Sequence, residues 1–182
     1  KHRLSEEKVI EVLGELQSQT ERISCFAGTM KNINRLDEII ISRAYVSQAD
    51  LLAKTEAILT VRAQKYAKQF EVHSELKEQQ LNLDISIFLE VLENLIDNAM
   101  RFSVQCVRVE FRYSQSLLNV CVHDDGKGFQ PDELSKAVKP YYHGESVGTE
   151  HYGMGLYICK MLCEKHGGFL RVYNSPGGGA CV

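Results

Sequence analysis

The sequence predicts an α+β fold, a two-layer α/β sandwich with a mixed sheet covered by helices on one face, preceded by a long helix from a helical bundle. Three observations predict it. Stretches with a 3.6-residue apolar period alternate with short runs of period two, the pattern of helices layered on a sheet. One pair of period-two runs answers across a short polar turn, so part of the sheet is antiparallel. Of the 13 glycines only Gly14 and Gly28 precede residue 126, and all 3 prolines follow it, so regular structure fills the first two-thirds and demanding turns the last third.

Residues 5–40 read as one helix, capped by Ser5 with Glu6 and Glu7 at its positive end. Val9, Leu13, Leu16, Thr20, Ile23, Ala27 and Met30 form a seam of alternating fours and threes. Val12, Phe26 and Ile33 widen that seam toward a bundle, so a partner helix is expected from elsewhere. Ile39–Val46 then reads as a strand. Gln48–Lys68 reads as a helix carrying Leu51, Leu52, Ala57, Ile58, Leu59 and Val61. Phe70–Leu76 and Gln80–Leu83 are short strands. Ile85–Phe102 is a strong helix with Ile87, Phe88, Val91, Leu92, Leu95, Ile96 and Ala99 on its buried side. In the hairpin, Val107, Val109 and Phe111 alternate with Arg108, Glu110 and Arg112, and Leu118, Val120 and Val122 face them across a Ser/Gln turn. Residues 129–152 show no period, as long functional loops do. Gly155–His166 is the last helix, stopped by Gly167 and Gly168, with closing strands at Phe169–Tyr173 and Ala180–Val182.

Composition narrows the function classes. The 182 residues are 44% hydrophobic and 25% charged, which excludes disordered and collagen-like architectures. With 21 Lys+Arg against 24 Asp+Glu and no basic tract, nothing marks a nucleic-acid or anionic-membrane binder. No apolar run reaches bilayer length and no signal peptide opens the chain. The chain starts at Lys1 rather than Met, the mark expected of a piece of something longer. The 6 cysteines form no C-x-x-C, so they read as buried reduced thiols in a reducing compartment, with a metal shared by Cys159 and Cys163 as the alternative.

Three stretches carry chemistry. Asn94 and Asn98 stand four apart inside an amphipathic stripe, where each amide needs a partner, either nearby backbone or a magnesium ion carrying phosphates. Asp124-Asp125-Gly126-Lys127-Gly128 follows a strand and sets a carboxylate beside a backbone that a ligand can approach. By itself it reads equally as a turn. Gly153-Met154-Gly155-Leu156 opens a helix whose unpaired N–H groups suit phosphate oxygens. A third glycine is missing, since Ile158 holds its place, so this is no Rossmann fingerprint, and no P-loop exists.

In this order the three resemble the nucleotide-binding domain of sensor histidine kinases, within the ATPase superfamily shared with gyrase, heat-shock chaperones and mismatch-repair ATPases. Residues 85–103 (ISIFLEVLENLIDNAMRFS) look like the asparagine box and 122–129 (VHDDGKGF) like the first glycine box. Pro140-Tyr141-Tyr142 looks like the lid aromatic box, and 153–168 (GMGLYICKMLCEKHGG) like the second glycine box. The resemblance covers about residues 39–182 and divides the chain at 40/41. Residues 1–40 are similar to the second helix of the dimerisation domain, and 41–182 to the ATP-binding catalytic domain.

The resemblance implies ATP and Mg²⁺ as cofactors, bound between the Asn94/Asn98 helix and a lid at 129–152. Asn98 would hold Mg²⁺, with Asn94 and Arg101 near the phosphates and Phe102 near the adenine. Asp124 would accept from the adenine amine; a carboxylate facing a guanine oxygen would set acceptor against acceptor. Gly126 and Gly128 would let the backbone pass close to the base, Gly153 and Gly155 would hinge the lid and offer N–H groups to phosphate, and Tyr142 of the lid and Leu156 would line the pocket. Members that hydrolyse ATP or phosphorylate serine generally carry a glutamate where Asn94 stands; an amide is no base, and an imidazole acceptor needs none. The γ-phosphoryl is therefore expected to pass to a histidine outside this chain and on to a response regulator receiver domain. A homodimer through the N-terminal helix is expected too, with the whole forming the cytoplasmic domain of a membrane-anchored bacterial sensor.

The chain departs from the family at four places. No phosphoacceptor signature follows His2, so this piece is expected to bind ATP without labelling itself. His143 stands where the family often has arginine, which implies a weaker hold on the γ-phosphate, Lys139 or Lys136 in support, and transfer that improves toward pH ~6. Ala180 replaces a Thr or Ser after Gly177 and Gly179, so a water-mediated adenine contact is expected to be missing. The chain stops within a closing strand. Two other readings compete: a serine-type kinase or hydrolytic ATPase using Glu93 or Glu90 as base, and a non-catalytic nucleotide-sensing dimerisation module.

Overall fold

The computed structural model describes residues 8–17, 19, 20, 23, 27, 36, 38–77, 80–142 and 153–182. Residues 8–17 are helical, and Val9, Ile10, Val12, Leu13 and Leu16 on them are exposed. The cap Ser5 and the seam positions Phe26, Met30 and Ile33 lie outside the described residues. Leu36 is buried against Met154, Ile158 and Leu162, with Ile39 beside it, which joins the end of this segment to the body of the fold.

Among the described residues seven strands and four helices follow. They are β1 (Ala44–Ser47), α1 (Gln48–Tyr66), β2 (Gln69–Ser74), β3 (Gln80–Leu83), α2 (Ile85–Phe102), β4 (Cys106–Ser114) and β5 (Leu117–Asp124). The last third holds α3 (Pro131–Leu134), α4 (Gly155–Lys165), β6 (Tyr173–Asn174) and β7 (Ala180–Cys181). A five-stranded sheet runs β2-β4-β5-β7-β6; β2 and β4 are parallel and the other pairs antiparallel, so the sheet is mixed. β1 and β3 make a separate antiparallel pair.

Strand alternation decides the layers. Val107, Val109 and Phe111 of β4 and Val122 of β5 are buried in one cluster with Leu51 and Leu59 of α1, Leu92, Leu95, Ile96, Ala99 and Met100 of α2, and Cys159 of α4. Arg108, Glu110 and Arg112 point to the other face, where Arg108 pairs with Glu71 and Arg112 with Glu75. Helices thus cover one face and ion pairs line the other. The β4–β5 turn, Gln115-Ser116, has both residues left-handed (φ 51° and 63°), the geometry that matches hairpin twist.

Several elements differ from the sequence reading. The first strand shrinks from 39–46 to Ala44–Ser47, because its partner β3 has only four residues and the Ser42 N–H is taken by Asp84 Oδ2 (2.7 Å). On α1, Ala57 and Val61 are exposed. The buried stripe is instead Leu51, Thr55, Leu59 and Ala63, strictly four apart, and the Thr55 hydroxyl is satisfied by the Leu51 carbonyl (2.9 Å). Of the expected strand at 169–173 only Tyr173 is paired, together with Asn174 beyond it, since their partners Cys181 and Ala180 are all that β7 offers. In the 129–152 segment, within its described residues 129–142, one short helix forms at Pro131–Leu134, closed by a capping box between Gln130 and Glu133.

α2 is anchored at its start. The Asp84 carboxylate accepts from the N–H groups of Ser86, Ile87 and Ser42, and the Asp84 N–H donates to His166 Nε2 (2.8 Å) at the end of α4. Arg43 in turn donates to the His166 carbonyl (2.6 Å). This junction fixes α2 against α4, the two helices that bear the asparagines and the second glycine motif. No helix among the described residues is long and apolar enough to cross a membrane.

Candidate functional site

The two asparagines sit on the α2 face that looks toward α4. Asn94 Nδ2 donates to the Glu90 carbonyl one turn back (2.8 Å), which leaves Oδ1 turned outward. A Cβ built on Gly155 would meet only that Oδ1, at 3.8 Å. α4 starts at Gly155 with Met154 as N-cap and no capping bond from its side chain, so among the described residues its first N–H groups are uncapped. Asn98 Oδ1 accepts from Arg101 Nη2 (2.5 Å), and the Arg101 guanidinium stacks 5.0 Å from the Phe102 ring centroid. Phe102 is half exposed and ends the helix. Leu156 is partly buried and packs against the main core.

The acid pair divides its work by strand parity. Asp124, the last residue of β5, is half-buried; its Oδ1 accepts from Gly126 N (2.9 Å) and Ala180 N (3.2 Å). Burial pushes its carboxyl above the usual range, and those two N–H groups only partly offset this. Among the described residues Oδ2 has no partner. Asp125 turns the other way and accepts from Val104, Gln105 and Cys106 N–H groups, tying the end of α2 to the start of β4. Partial burial works to raise its carboxyl, but the N–H donors of Gln105, Val104 and Cys106 outweigh it and hold the group below the usual range. A Cβ on Gly126 would run into the Phe102 carbonyl, so this turn lies flat against the end of α2. Gly128 is left-handed, and Asn174 on β6 grips the next residue, accepting from Phe129 N and donating to Phe129 O (both 2.8 Å).

The described residues on either side of 143–152 are closely fitted to each other. Tyr142 is half-buried and its carbonyl lies where a Gly153 Cβ would be; Gly153 has φ +63°, so only glycine fits on both counts. The Tyr141 N–H points at Met154 Sδ (3.3 Å). Lys136 is paired with Asp132 (3.0 Å). His143, and with it the expectation that it meets the γ-phosphate, lies outside the described residues.

The two competing bases are placed differently, with Glu90 one turn before Asn94 on the same face of α2 and Glu93 on another. Glu93 pairs with Arg62 of α1 (3.7 Å), on the side of α2 away from α4, and the Glu90 side chain is exposed. Cys159 is buried and its thiol contacts the Val91 carbonyl (3.7 Å), a packing role as the composition suggested. Sequence reasoning missed three things: the capping role of Asp125, the grip of Asn174, and the Ala180 N–H that supplies Asp124 from backbone. Only Asn174, an amide just before a Pro-Gly-Gly-Gly turn, carried a readable signal.

The site is therefore a helix face of amide oxygens opposite an uncapped helix start, with a half-buried acid at the adjoining strand end. The chain belongs to the family of histidine kinase-, DNA gyrase B-, and HSP90-like ATPases, whose model matches residues 83–182. Among curated proteins it is similar to the sensor protein KdpD of Clostridium acetobutylicum, 24% identical over 97% of this chain and 20% of that protein. It is also similar to the sensor protein SrrB of Staphylococcus aureus, 27% identical over 87% of this chain and 30% of that protein. The chain thus spans a third or less of the length of these relatives. Among solved structures the fold matches full-length ShkA, determined in complex with AMPPNP, with a TM-score of 0.76, 22% identity, and coverage of 99% of this chain and 38% of that one. It also matches the catalytic domain of the histidine kinase ThkA with a TM-score of 0.66, 19% identity, and coverage of 77% and 92%.

Proposed function

We propose that the chain is the ATP-binding catalytic portion of a sensor histidine kinase, which delivers the γ-phosphoryl of ATP to a histidine outside these residues. One observation carries the reading: the position facing the uncapped start of α4 is Asn94 Oδ1, an acceptor that cannot serve as a base. The nearest carboxylate along the helix, Glu93, is committed to Arg62 on another face.

The residues fit the cofactors. The N–H groups at the start of α4 suit phosphate oxygens, and the unpartnered Asp124 Oδ2 suits an amino group on a purine. Asn94 and Asn98 offer amide oxygens, the hard donors Mg²⁺ prefers, and Asn98 Oδ1 would exchange its Arg101 contact for the ion. The ion would neutralise charge on the β- and γ-phosphates. Arg101 then serves the same phosphates, and Gly153 lets the lid fold back over them. An imidazole acceptor supplies its own lone pair, so positioning and charge stabilisation suffice.

Onward transfer to a response regulator receiver domain and homodimerisation through the N-terminal helix follow from the same reading. The exposed apolar row Val9, Val12, Leu13 and Leu16 favours dimerisation. The domain line at 40/41 and a cytoplasmic position within a longer sensor belong to it as well. Calorimetry of ATP against GTP, with and without Mg²⁺, tests binding. Transfer of label to a separately supplied acceptor helix tests the reaction. Steady phosphate release with no labelled histidine would overturn it in favour of a hydrolase.

A further inference from the structure

A second group of chemistry-bearing side chains lies on the ion-paired face of the sheet, away from the helices. Cys121 and His123 of β5 and Cys181 of β7 bring two thiols and an imidazole to one place. Their ligand atoms all lie within 4.8 Å of one another. The register builds the group: His123 is directly opposite Cys181, and Cys121 is two residues earlier on the same face of β5. Cys181 is fully buried and the other two half-buried.

The imidazole is aimed. His123 Nδ1 is 3.2 Å from Ser175 Oγ, while Nε2 is 3.6 Å from Cys181 Sγ and 3.9 Å from Glu110 Oε2. A hydroxyl on one ring nitrogen that orients the other toward donor atoms is the arrangement found around metal-bound histidines. The Tyr173 hydroxyl, 3.9 Å from Cys121 Sγ, covers the remaining side.

The Cys121 and Cys181 thiols are in hydrogen-bond contact, but their residues are spaced poorly for a disulfide. They are diagonal rather than opposite, which sets α-carbons roughly 7–8 Å apart, at or beyond the ~7 Å reach of an S–S bond. A tetrahedral thiophilic ion needs less movement. Bonds of about 2.3 Å to sulfur and 2.0–2.1 Å to nitrogen hold ligand atoms on the order of 3.5–4 Å apart, a contraction side-chain rotation supplies.

The geometry points to a site for a zinc-class divalent cation, held by Cys121, His123 and Cys181, with the Glu110 carboxylate giving up its pair with Arg112 (3.2 Å) to close the shell. Thiolate and imidazole donors select such an ion over Mg²⁺. The thiols bind as thiolates and release their protons to solvent. The ion would clamp β7 to β5 beside the candidate nucleotide pocket: His123 precedes Asp124, and Cys181 follows Ala180, whose N–H holds Asp124 Oδ1. Metal uptake is independent of what the chain does with nucleotide, so its test stands apart from the kinase reading.

The test is titration of the reduced, metal-free 182-residue chain with Co²⁺, followed by displacement with Zn²⁺. One equivalent should bind with the absorption of a tetrahedral, thiolate-ligated ion, Zn²⁺ should remove it, and Mg²⁺ should not. Zn²⁺ should also raise the melting temperature. Cys121→Ser and Cys181→Ser should each abolish the one-equivalent site, and Glu110→Gln should weaken it, while Cys106→Ser and Cys163→Ser retain it. Because Cys181 is buried and its variant can lose the fold, the half-buried Cys121 decides. No stoichiometric uptake, uptake that survives Cys121→Ser, or a Cys121–Cys181 disulfide whose reduction restores no metal binding would each overturn the site.

Discussion

Replacing Asp124 with Asn separates ligand recognition from folding. The carboxylate holds Gly126 N and Ala180 N through Oδ1, and an amide oxygen keeps both bonds. Burial outweighs those bonds and lifts the carboxyl above its usual range, so the charge costs the folded state free energy at pH 7 that a neutral amide does not. The melting temperature of Asp124→Asn should therefore be unchanged or slightly higher. Recognition has the opposite sign. Oδ2, an acceptor without a partner among the described residues, becomes a donor facing the exocyclic amine of adenine. A hydrogen bond to a charged group contributes about 1.5–3 kcal/mol. At about 1.4 kcal/mol per decade the loss in ATP affinity is roughly 10–150-fold, and GTP, whose 6-oxo group the new amide can serve, should lose less or gain. Calorimetry with both nucleotides, beside thermal melts, reads the two effects separately. Unaltered ATP affinity would refute the assignment of Asp124 to the base. A collapse in melting temperature would show that the carboxylate is structural, as Asp125 is.

Three further substitutions probe other parts of the frame. Glu93→Gln should leave ATP turnover and phosphotransfer intact and cost at most about 1 kcal/mol, since its partner Arg62 lies across on α1; abolished phosphate release in a turnover assay would revive the hydrolase reading. Gly153→Ala forces a left-handed alanine, about 1–2 kcal/mol, into the Tyr142 carbonyl, so a melting point ~2–8 °C lower with weakened ATP binding is expected, and unchanged binding would release Gly153 from the lid. At the α2–α4 junction, burial and then Arg43 hold His166 below the ordinary imidazole value, so the stability it contributes is present above about pH 6.5 and lost as pH falls through its folded value. His166→Gln, whose amide oxygen can still accept from Asp84 N, should flatten the drop of roughly 2–4 °C between pH 7 and 5 that a bond of about 1 kcal/mol implies in melting curves of the parent; parallel curves would exclude His166 as the cause.

The mixed sheet, the strong helix at Ile85–Phe102 and the hairpin were legible because apolar period and turn chemistry are local properties. Strand ends at 39–43 and 169–172 were not, because a strand ends where its partner ends, and the partners β3 and β7 are distant in sequence. The same rule governs the site. Asn94, Asn98 and Asp124 were readable as residue types at suggestive spacings, but which face each presents depends on packing. Asn94 faces α4 because apolar packing and the Asp84–His166 bond fix α2 against it. The Cys121, His123 and Cys181 group was invisible, since its members are up to sixty residues apart and meet only through the β5–β7 register.

That register explains why two adjacent acids have unlike fates. Along β5, Val122 faces the helices and is buried, His123 faces the opposite side, and Asp124 returns to the helix side at the point where the strand stops. Having no further strand partner, Asp125 is free to turn back onto the N–H groups of residues 104–106. Side-chain parity is set upstream by the two left-handed residues of the Gln115-Ser116 turn, which lock Ser114 opposite Leu117 and every later pair down to Val107 opposite Asp124. One residue inserted in that turn with compensating slip would send Asp124 to the ion-paired face and His123 toward the helices. The candidate purine contact and the candidate metal ligand thus depend on a single hairpin register, and either one lost without the other would mean that pairing at β7, rather than the hairpin, decides them.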